Sequence, residues 1–464
     1  MGNICTDRAL AWLDERVVET GSLVLRTVGG DRGGVVALDR LLGRPDVDPA
    51  IILVPAIERT TRACAGLDIV VAQDTTEINF AGRAARRSGL GPAGDGESPG
   101  FFIHPQIAID AASGSVLGVV GAELWTRPAT KASAPRGRPA GEKESRRWYT
   151  GVCVAAERLG PVAARITGVS DRESDIYSLF AKRPTSVDLI VRSAQNRSLD
   201  GGGSLNAAAD AWPVLAIEKV EVPARRIGVK GGPSPARTAR VEVRAGTIRL
   251  LRPKGRRANA GDAAAVEVDL VVVREVGAPA GATPLAWRLL STRAARDAAA
   301  ALEVVRRYRL RWRIEEVFRT LKTDGLDLEA SQVTTAQRLI NLATVGLVAA
   351  TRIVQLVDAR DGSTRPATDV IDERDIEAVA AIGATLEGAT PRQRNRWPEG
   401  SLAWLAWIAG RLGGWNCYGR PPGPKTMAAG WRRLAQRIEG FHLAAPTPTK
   451  NTALLRPGTC EAKL

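Results

Sequence analysis

Apolar residues recur at helical spacing over residues 7–65 and then give way to short continuous runs. Leu10, Leu13 and Val17 lie three or four positions apart, as on the buried face of an amphipathic helix, and Leu38 with Leu41 repeats the pattern. Beyond residue 66, short apolar runs bounded by turn residues are typical of buried strands. The predicted strands cover residues 69–72, 101–109, 116–125, 165–169 and 187–193.

Helical spacing over residues 142–158 and 173–181 separates some of these strands. This order predicts an α/β fold, a mixed sheet with helices on both faces. Residues 195–285 are β-like, and we interpret them as an inserted antiparallel β-subdomain. Helical spacing resumes near residue 294 and continues through Lys322, and the tail is helical and rich in Trp.

The chain of 464 residues is long enough for several structural units. The predicted regions are an N-terminal helical region, the first part of the core, the inserted β-subdomain, the second part of the core, and a C-terminal helical region. In that order they cover residues 1–66, 67–194, 195–285, 286–367 and 368–464.

The composition favours a folded protein with a polyanionic partner. Hydrophobic residues make up 44% of the chain, and 65 basic against 50 acidic residues give a net charge of +15 and a pI near 10.2. Such an excess of positive charge is common in proteins that bind nucleic acid, although a basic solvated surface without a partner would have the same composition.

The cysteines and the apolar stretches exclude several other classes. The five cysteines are far apart and only two histidines occur, so we expect neither a structural zinc site nor a disulfide framework, and a reducing cytoplasm fits. The longest apolar stretch, residues 338–357, is interrupted by polar residues that include Asn341 and Arg352. We therefore expect no membrane span.

The most informative motif is the spacing of Tyr308, Arg311, Glu315 and Lys322. On one continuous helix the intervals of three, four and seven residues place these side chains within an arc of about 60°. A carboxylate, an aromatic ring and two cations on one stripe suit a metal ion and a phosphate backbone. The alternative is a solvated helix face, because Arg311–Glu315 and Glu315–Arg319 also have the spacing of helical ion pairs.

Two further carboxylates, Asp74 and Asp171, each follow an apolar strand directly. Carboxylates at the ends of strands lie at the rim of an open sheet, where ligands bind. Together with Glu315 they form three carboxylates on separate elements, which can converge on hard cations such as Mg²⁺. For either aspartate alone, a turn or a helix cap is the alternative.

Three blocks of residues resemble the catalytic blocks of the insertion-sequence-4 family of DDE transposases. They are Gln-Asp-Thr-Thr (73–76), Ser-Asp-Arg-Glu-Ser-Asp-Ile-Tyr (170–177) and the Tyr-x-x-Arg-x-x-x-Glu-x-x-x-x-x-x-Lys array (308–322). Their order is that of the family, and the long β segment falls between the second Asp and the Glu, as it does there. The resemblance covers roughly residues 40–442.

The resemblance implies an RNase H-like core in which Asp74, Asp171 and Glu315 hold two Mg²⁺ ions, with Mn²⁺ as a substitute. It implies a transposase that binds terminal inverted repeats with residues 1–66, cleaves the strands, forms hairpins and transfers the ends to target DNA by cut-and-paste. Its partners would be double-stranded DNA and a second copy of the chain, joined through residues 368–464 in a synaptic complex. The location implied is the bacterial cytoplasm, at the nucleoid.

The neighbours of Glu315 fit contacts with DNA. Arg311, Arg319 and Lys322 can hold phosphates of the scissile strand, and Tyr308 can donate to a phosphate or pack beside one.

Trp287 and Arg192 are two further DNA-binding candidates. In cut-and-paste relatives a Trp 21 residues before the Tyr stacks on a flipped base, and Trp287 occupies that place relative to Tyr308. The alternative for Trp287 is an ordinary strand-core residue. Arg192, at the end of a strand, is a candidate for a phosphate contact.

The β-like segment is strongly basic, with eleven Lys or Arg against one acid over residues 223–257. We expect its cations to follow the DNA backbone. They are Arg225, Arg226, Arg237, Arg240, Arg252, Lys254, Arg256 and Arg257. In the tail, we expect Leu402, Trp404, Leu405 and Ile408 to form a helix–helix interface.

Two alternative functions remain open on the sequence. An RNase H-like nuclease would need the carboxylates but neither Trp287 nor a region that binds element ends. A domesticated DNA-binding protein without strand transfer, or an architectural protein, explains the charge but not the intact Tyr–Arg–Glu–Lys array.

Overall fold

The computed structural model of the chain describes residues 4–80, 87–128, 144–222, 224, 235–254, 261–324, 326 and 328–444. Two compact units make up the chain. Unit 1 comprises Met1–Ala65, Thr75–Arg138 and Arg313–Leu464, and unit 2 comprises Gly66–Asp74 and Pro139–Trp312. Each unit therefore combines segments that are distant in sequence.

The helices, in chain order, are α1 (Ile4–Thr20), α2 (Leu25–Gly29), α3 (Arg32–Leu42), α4 (Pro49–Ala63), α5 (Arg146–Leu159), α6 (Tyr177–Lys182), α7 (Leu205–Ala211), α8 (Ala298–Leu310), α9 (Arg313–Arg319), α10 (Ala336–Ala359), α11 (Ile376–Ala384), α12 (Leu402–Leu412) and α13 (Pro424–Ala444). The strands are β1 (Asp68–Gln73), β2 (Thr76–Asn79), β3 (Gly91–Pro92), β4 (Pro99–Asp110), β5 (Val116–Trp125), β6 (Arg165–Ser170), β7 (Val187–Arg192), β8 (Ala216–Val222), β9 (Arg237–Leu251), β10 (Ala265–Glu275) and β11 (Ala286–Ser291).

Side-chain caps explain where several of these helices begin. The carboxylates of Asp31, Asp48 and Asp297 each accept a hydrogen bond from the backbone N–H three residues later, at the starts of α3, α4 and α8. The Ser401 hydroxyl does the same for α12. These caps satisfy backbone donors that a first helical turn leaves without partners.

Unit 2 contains one sheet of mixed direction in the order β1-β6-β7-β11-β10-β9-β8. Strands β1, β6 and β7 are parallel neighbours, and every pairing from β7 onward is antiparallel. The parallel strands are almost entirely buried, and α5 and α8 both pack on them. Burial on both faces explains why β1 and β6 read as continuous apolar runs rather than as alternating patterns.

The segment predicted as an inserted β-subdomain supplies β8, β9 and β10. Its strands are antiparallel to one another, and β10 pairs with β11, which in turn pairs with β7. These strands therefore extend the sheet of unit 2. Of the cations that we expect on this segment, Arg225, Arg226, Arg256 and Arg257 lie outside the described residues, as do residues 142–143 of the predicted helix 142–158.

Unit 1 combines a small antiparallel sheet with a helical core. Strands β4 and β5 form a hairpin, β2 and β3 pair with β4, and α4 and α10 pack against β5. Among the described residues one helix, α10, is long and apolar enough to cross a membrane by length and composition, and 94% of its most apolar window is buried inside the protein. Such burial is typical of a core helix, because that helix face is already covered by protein.

The Trp-rich tail packs within unit 1. Trp404, Trp407 and Trp431 are each at most 6% exposed and belong to one core formed mainly by α10, α11, α12 and α13. Leu402, Leu405 and Ile408 are fully buried in the same core. The expected helix–helix interface is present between α12 and α13 of the same chain.

Candidate active site at the ends of two parallel strands

Asp74 and Asp171 lie at matching positions of two adjacent strands. In the parallel pair β1–β6, Ala72 is the register partner of Val169, and each aspartate lies two residues further along its own strand. Neighbouring strands are separated by about 4.8 Å, and the carboxyl ends of parallel strands meet at the same sheet edge. Both carboxylates are therefore at one edge of the sheet of unit 2.

Asp171 also caps the chain that follows it. Its Oδ1 accepts a hydrogen bond from the N–H of Glu173 at 2.9 Å, at the start of the 3₁₀ turn Arg172–Ser174. Within the described part of the chain, Oδ2 of this half-buried side chain makes no hydrogen bond. One oxygen holds the turn, and the other is available to a ligand.

Asp175 is a structural anchor beside the site. Its side chain is fully buried and accepts hydrogen bonds from the N–H groups of Ala194 and Gln195 at 2.8 and 3.0 Å. Arg197 donates to it through Nε and Nη2 at 2.9 and 2.6 Å. Asp175 thus fixes the loop after β7. The single helix predicted over residues 173–181 is instead a 3₁₀ turn, Arg172–Ser174, followed after Asp175 and Ile176 by α6.

Asp74 is held by an arginine of the array. The Arg311 guanidinium donates to Asp74 Oδ2 at 2.5 Å, and the two side chains are 11% and 17% exposed. At the other end of β1, Arg307 pairs with Asp68 at 2.7 and 3.0 Å. Helix α8 is therefore tied to both ends of β1 by charged hydrogen bonds, which are about twice as strong as neutral ones.

Tyr308 and its neighbours form the rest of the cluster. The Tyr308 ring is 5% exposed and meets Trp287 edge to face, with ring centroids 5.4 Å apart. Burial raises the pKa of the Tyr308 hydroxyl, and the positive charges of the nearby Arg311 and Arg192 oppose that shift. Burial also lowers the pKa of Arg192, which donates to the Ala286 carbonyl at 3.0 Å.

Unit 2 therefore brings together a large part of the predicted site in a small region. Trp287 is half-buried and packs on Tyr308, which is the arrangement expected if Trp287 is an ordinary strand-core residue. The residues gathered there are Asp74, Asp171, Arg192, Trp287, Tyr308 and Arg311.

The prediction of one continuous helix through Lys322 is wrong. Helix α8 ends at Leu310, where the N–H groups of Arg311 and Trp312 bond to carbonyls three residues back instead of four. A new helix, α9, begins at Arg313, and a π-helical turn, Thr320–Asp324, follows it. The bonds to carbonyls three residues back and the π-helical turn both change the rotation per residue, so the arc of about 60° calculated for one regular α-helix does not apply to this segment.

The remaining array residues belong to unit 1. Glu315 is half-buried on α9, and Arg319 is exposed, its guanidinium making no hydrogen bond or ion pair among the described residues. Lys322 lies in the π-helical turn near the carboxylates of Glu329, Glu77 and Glu315. Burial lowers the pKa of Lys322, and the three carboxylates oppose that shift.

A buried charge cluster that the sequence did not indicate fixes α9. Arg313 donates hydrogen bonds to both Glu316 and Asp358. Asp358, at the end of α10, also accepts from the N–H of Val116 at 2.8 Å. Burial opposes the charge of Arg313, but Asp358 and Glu316 outweigh it and raise the pKa of Arg313; burial raises the pKa of both acids.

A cleft of about 370 Å³ in unit 1 is lined by Arg313, Glu316 and Asp358, together with Arg319 and Arg360. The partners Arg313 and Asp358 are 45 positions apart, and only the packing of α9 against α10 brings them together. Glu77 and Glu329 near Lys322 were missed for the same reason: each lies on an element other than the helix that carries the array.

The predicted three-carboxylate metal site does not fit a metal ion as the side chains stand in this structure. Within the described residues, no group of three or more His, Cys, Asp and Glu side chains is arranged to hold a metal. The oxygen donors of Asp74 and Asp171 suit Mg²⁺ and share one sheet edge, but Arg311 occupies Asp74. At Asp74 the predicted metal ion and the structure therefore differ, because the Arg311 guanidinium already pairs with this carboxylate.

The basic β segment is partly neutralised by its own acids. Arg237 makes a two-point ion pair with Glu275 at 2.8 and 2.9 Å, and Arg252 donates to the Asp262 carbonyl at 2.9 Å. Arg240 and Lys254 are exposed. Among the described cations of this group, Arg240 and Lys254 are therefore the ones best placed for the predicted contacts with the DNA backbone, because Arg237 pairs with Glu275 and Arg252 with the Asp262 carbonyl.

The mixed α/β fold is compatible with an RNase H-like DDE domain. Residues 216–351 match the family profile described as Transposase DDE domain. The matched segment carries Trp287, Tyr308, Arg311 and Glu315, while the two aspartates precede it. Residues 216–351 are therefore similar to a transposase DDE domain.

Proposed function

We propose that this chain is the transposase of an insertion sequence and moves it by cut-and-paste. It binds the terminal inverted repeats, cleaves both strands, forms hairpins and transfers the ends to target DNA. The observation that carries this proposal is the shared edge of Asp74 and Asp171 beside Tyr308 and Arg311, in a chain whose residues 216–351 match a transposase DDE domain.

The proposal gives each site residue a role. Asp74, Asp171 and Glu315 are the ligands of two Mg²⁺ ions, for which Mn²⁺ substitutes. In phosphodiester chemistry such ions activate the attacking oxygen and stabilise the leaving oxygen.

The cations and aromatic rings would position the DNA. Arg192 and Arg311 converge on the Tyr308 hydroxyl and can hold one phosphate between them. Arg319 is exposed without an ion pair in the described chain, so it can meet a phosphate at little cost. The Trp287 ring can exchange its edge contact with Tyr308 for a flipped base, since stacking is worth about 1–3 kcal/mol per base.

The larger arrangement is proposed on the same basis. Residues 1–66 recognise the element ends, residues 195–285 form the inserted β-subdomain, and residues 368–464 join two copies in the synaptic complex. Because the tail tryptophans and nearly all of α12 are buried in the core of unit 1, the contact between copies would use the outer face of α13.

A cleavage assay tests the function. The purified chain is mixed with Mg²⁺ and linear DNA that carries the inverted repeats flanking its own reading frame. We expect nicked, hairpin and joined products, and a fall of at least about 100-fold for Glu315→Gln, since removing one group that stabilises transition-state charge costs this much. The matched control is Glu399→Gln, an exposed carboxylate of the same unit, which should cleave normally.

The outcomes separate the candidates. Nicks without hairpins or joined products would replace the transposase with the nuclease alternative. Normal cleavage by Glu315→Gln would remove Glu315 from the ligand set.

A further inference from the structure

We propose that one face of the sheet of unit 2, formed by β8–β11 on the side turned away from α8, binds a second DNA duplex. The inference rests on the proposed function, in which this duplex is the target DNA that receives the transferred ends. We call this surface the open face. Its charged residues are Lys219, Glu221, Arg240, Glu242, Arg244, Arg274 and Arg288, with Asp210 of α7 beside them.

The open face lies on the opposite side of the sheet from the Tyr308 cluster. Trp287 of β11 and its register partner Val273 lie on the side on which α8 packs, where Trp287 meets Tyr308. Successive side chains of a strand point to opposite faces, so Arg288 and its register partner Val272 lie on the other side. A straight duplex held at Trp287 therefore cannot also lie along Arg288.

Two like charges oppose each other on the open face. Lys219 of β8 is the direct register partner of Arg240 of β9, and both residues are exposed. Like charges directly opposite each other destabilise a pair of strands. Neither side chain makes a hydrogen bond or ion pair to any residue that the structure describes. A phosphate shared by the two side chains would replace this repulsion with attraction.

Arg288 is a third cation of this face without a protein partner. It is half-buried, and its guanidinium makes no hydrogen bond or ion pair within the described ranges. Its Nε is buried and remains without an acceptor there. A buried donor without an acceptor is unfavourable, and phosphate oxygens are strong acceptors for a guanidinium. Arg288 is therefore available to an anion that approaches the open face.

Two further arginines are held beside Arg288. Arg274 donates to Asp210 at 2.5 Å, and Arg244 pairs with Glu242 at 3.1 Å. The hydrogen bond from Arg274 and the charges of Arg274, Arg288 and Arg244 lower the pKa of Asp210. The three guanidiniums thus lie close to one carboxylate, which cannot neutralise all of them.

The extent of the open face suits a duplex better than a small anion. Its five cations exceed its three carboxylates by two, and they are spread over four strands. At about 4.8 Å per strand, the face is about 14 Å wide. A duplex carries one negative charge per about 1.7 Å of its axis, so several phosphates can lie over a face of this width. Small ligands instead bind in concave pockets.

The first experiment measures the affinity of the full chain for a labelled duplex of random sequence. The chain is first saturated with an unlabelled duplex that carries the terminal repeat. Arg288→Gln should bind the labelled duplex several-fold more weakly than the wild type, and the slope of log affinity against log salt should fall by about one.

The matched control is Arg309→Gln, which removes the same charge from α8 on the other side of the sheet. Arg309 is exposed, and its guanidinium makes no hydrogen bond or ion pair in the described part of the chain. Its affinity and its slope should match those of the wild type.

A second variant keeps the test independent of the folding of Arg288→Gln. Lys219 is exposed, so Lys219→Gln should fold, and it should weaken binding of the labelled duplex in the same way. Without DNA, Lys219→Gln should slightly raise the melting temperature, because the repulsion from Arg240 is removed. A lower melting temperature would assign Lys219 a structural role and remove the like-charge argument.

The affinity for the terminal-repeat duplex alone decides whether there are two DNA paths. Arg288→Gln and Lys219→Gln should bind that duplex as the wild type does. If they weaken its binding as much as that of the random duplex, the open face belongs to the path of the element end, and the inference of a second duplex is wrong.

The outcomes also separate this inference from the proposed function. Equal affinities of Arg288→Gln, Lys219→Gln and Arg309→Gln for the labelled duplex, with normal cleavage by the wild type, would overturn the open face and leave the transposase standing. Weaker binding by the first two variants, in a chain that yields neither nicks nor joined products, would keep the DNA-binding face and overturn the transposase.

Discussion

The strand-end cluster of unit 2 and the α9 segment of unit 1 hold their functional candidates by different means. In unit 2, Asp74 and Asp171 take their positions from the register of β1 and β6, and both Arg311 and Arg192 already have hydrogen-bond partners. In unit 1, Glu315 lies on the short helix α9, which the Arg313–Asp358 ion pair holds in place. Arg319, exposed on the same helix, makes no hydrogen bond or ion pair among the described residues. The difference teaches that sheet register alone brings two carboxylates from distant parts of the sequence to one edge, whereas a short helix takes its place from a long-range ion pair.

The largest effect should come from the anchor of the strand-end cluster. Asp175→Asn leaves Arg197 buried without its carboxylate and weakens the bonds to the loop after β7. Breaking a buried pair in this way costs about 3–5 kcal/mol. Urea unfolding followed by circular dichroism measures the loss. Asp210→Asn, from an exposed pair in the same unit, should leave the midpoint unchanged.

The second effect tests the anchor of α9. Asp358→Asn should destabilise the chain by about 1.5–3 kcal/mol, because the largely buried Arg313 loses one of its two carboxylate partners. Asp361→Asn, an exposed neighbour in the same cleft, is the control. If both variants melt like the wild type, α9 does not depend on this anchor and the contrast between the two regions fails.

The third effect concerns binding rather than stability. Arg319→Gln should weaken DNA binding uniformly across sequences and reduce the slope of log affinity against log salt by about one. Because Arg319 makes no bond in the described chain, thermal stability should not change. A fluorescence anisotropy titration at several salt concentrations reports the slope; an unchanged slope means that this cation does not meet a phosphate.

The smallest effect is the pH dependence contributed by Lys322. Burial lowers the pKa of Lys322 below its ordinary 10.5, so the unfolded chain binds the proton more tightly than the folded chain. Stability must then rise with pH between the lowered value and 10.5. Lys322→Met should lose this rise, which urea unfolding from pH 8 to pH 10.5 would detect as a flatter curve than that of the wild type.

Sequence alone could predict the strand-end aspartates because each follows an apolar run directly, and parallel pairing then fixes their shared edge. It could also predict the bounds of β1, β4, β5, β6 and β7 to within about two residues. The break between α8 and α9 could not be predicted, because residues 308–315 contain neither Pro nor Gly and suit a continuous helix.

Contacts across long sequence separations were also beyond prediction. Helical periodicity describes one element at a time, so it could not pair Arg313 with Asp358 or place Glu77 and Glu329 near Lys322. The periodicity likewise identified the Trp-rich tail as helical without indicating that its rings pack inside unit 1. The pairing of Arg311 with Asp74, which are 237 positions apart, was beyond prediction for the same reason.

The π-helical turn after α9 has a consequence for the length of this segment. A turn with bonds from residue i to residue i+5 contains one residue more than a regular α-turn. Deleting Thr323 would allow the regular winding to resume, and every later residue of the segment would shift by about 100° around the axis. Related chains that keep a lysine at this place should therefore conserve the number of residues between Glu315 and Leu328 more strictly than their identity.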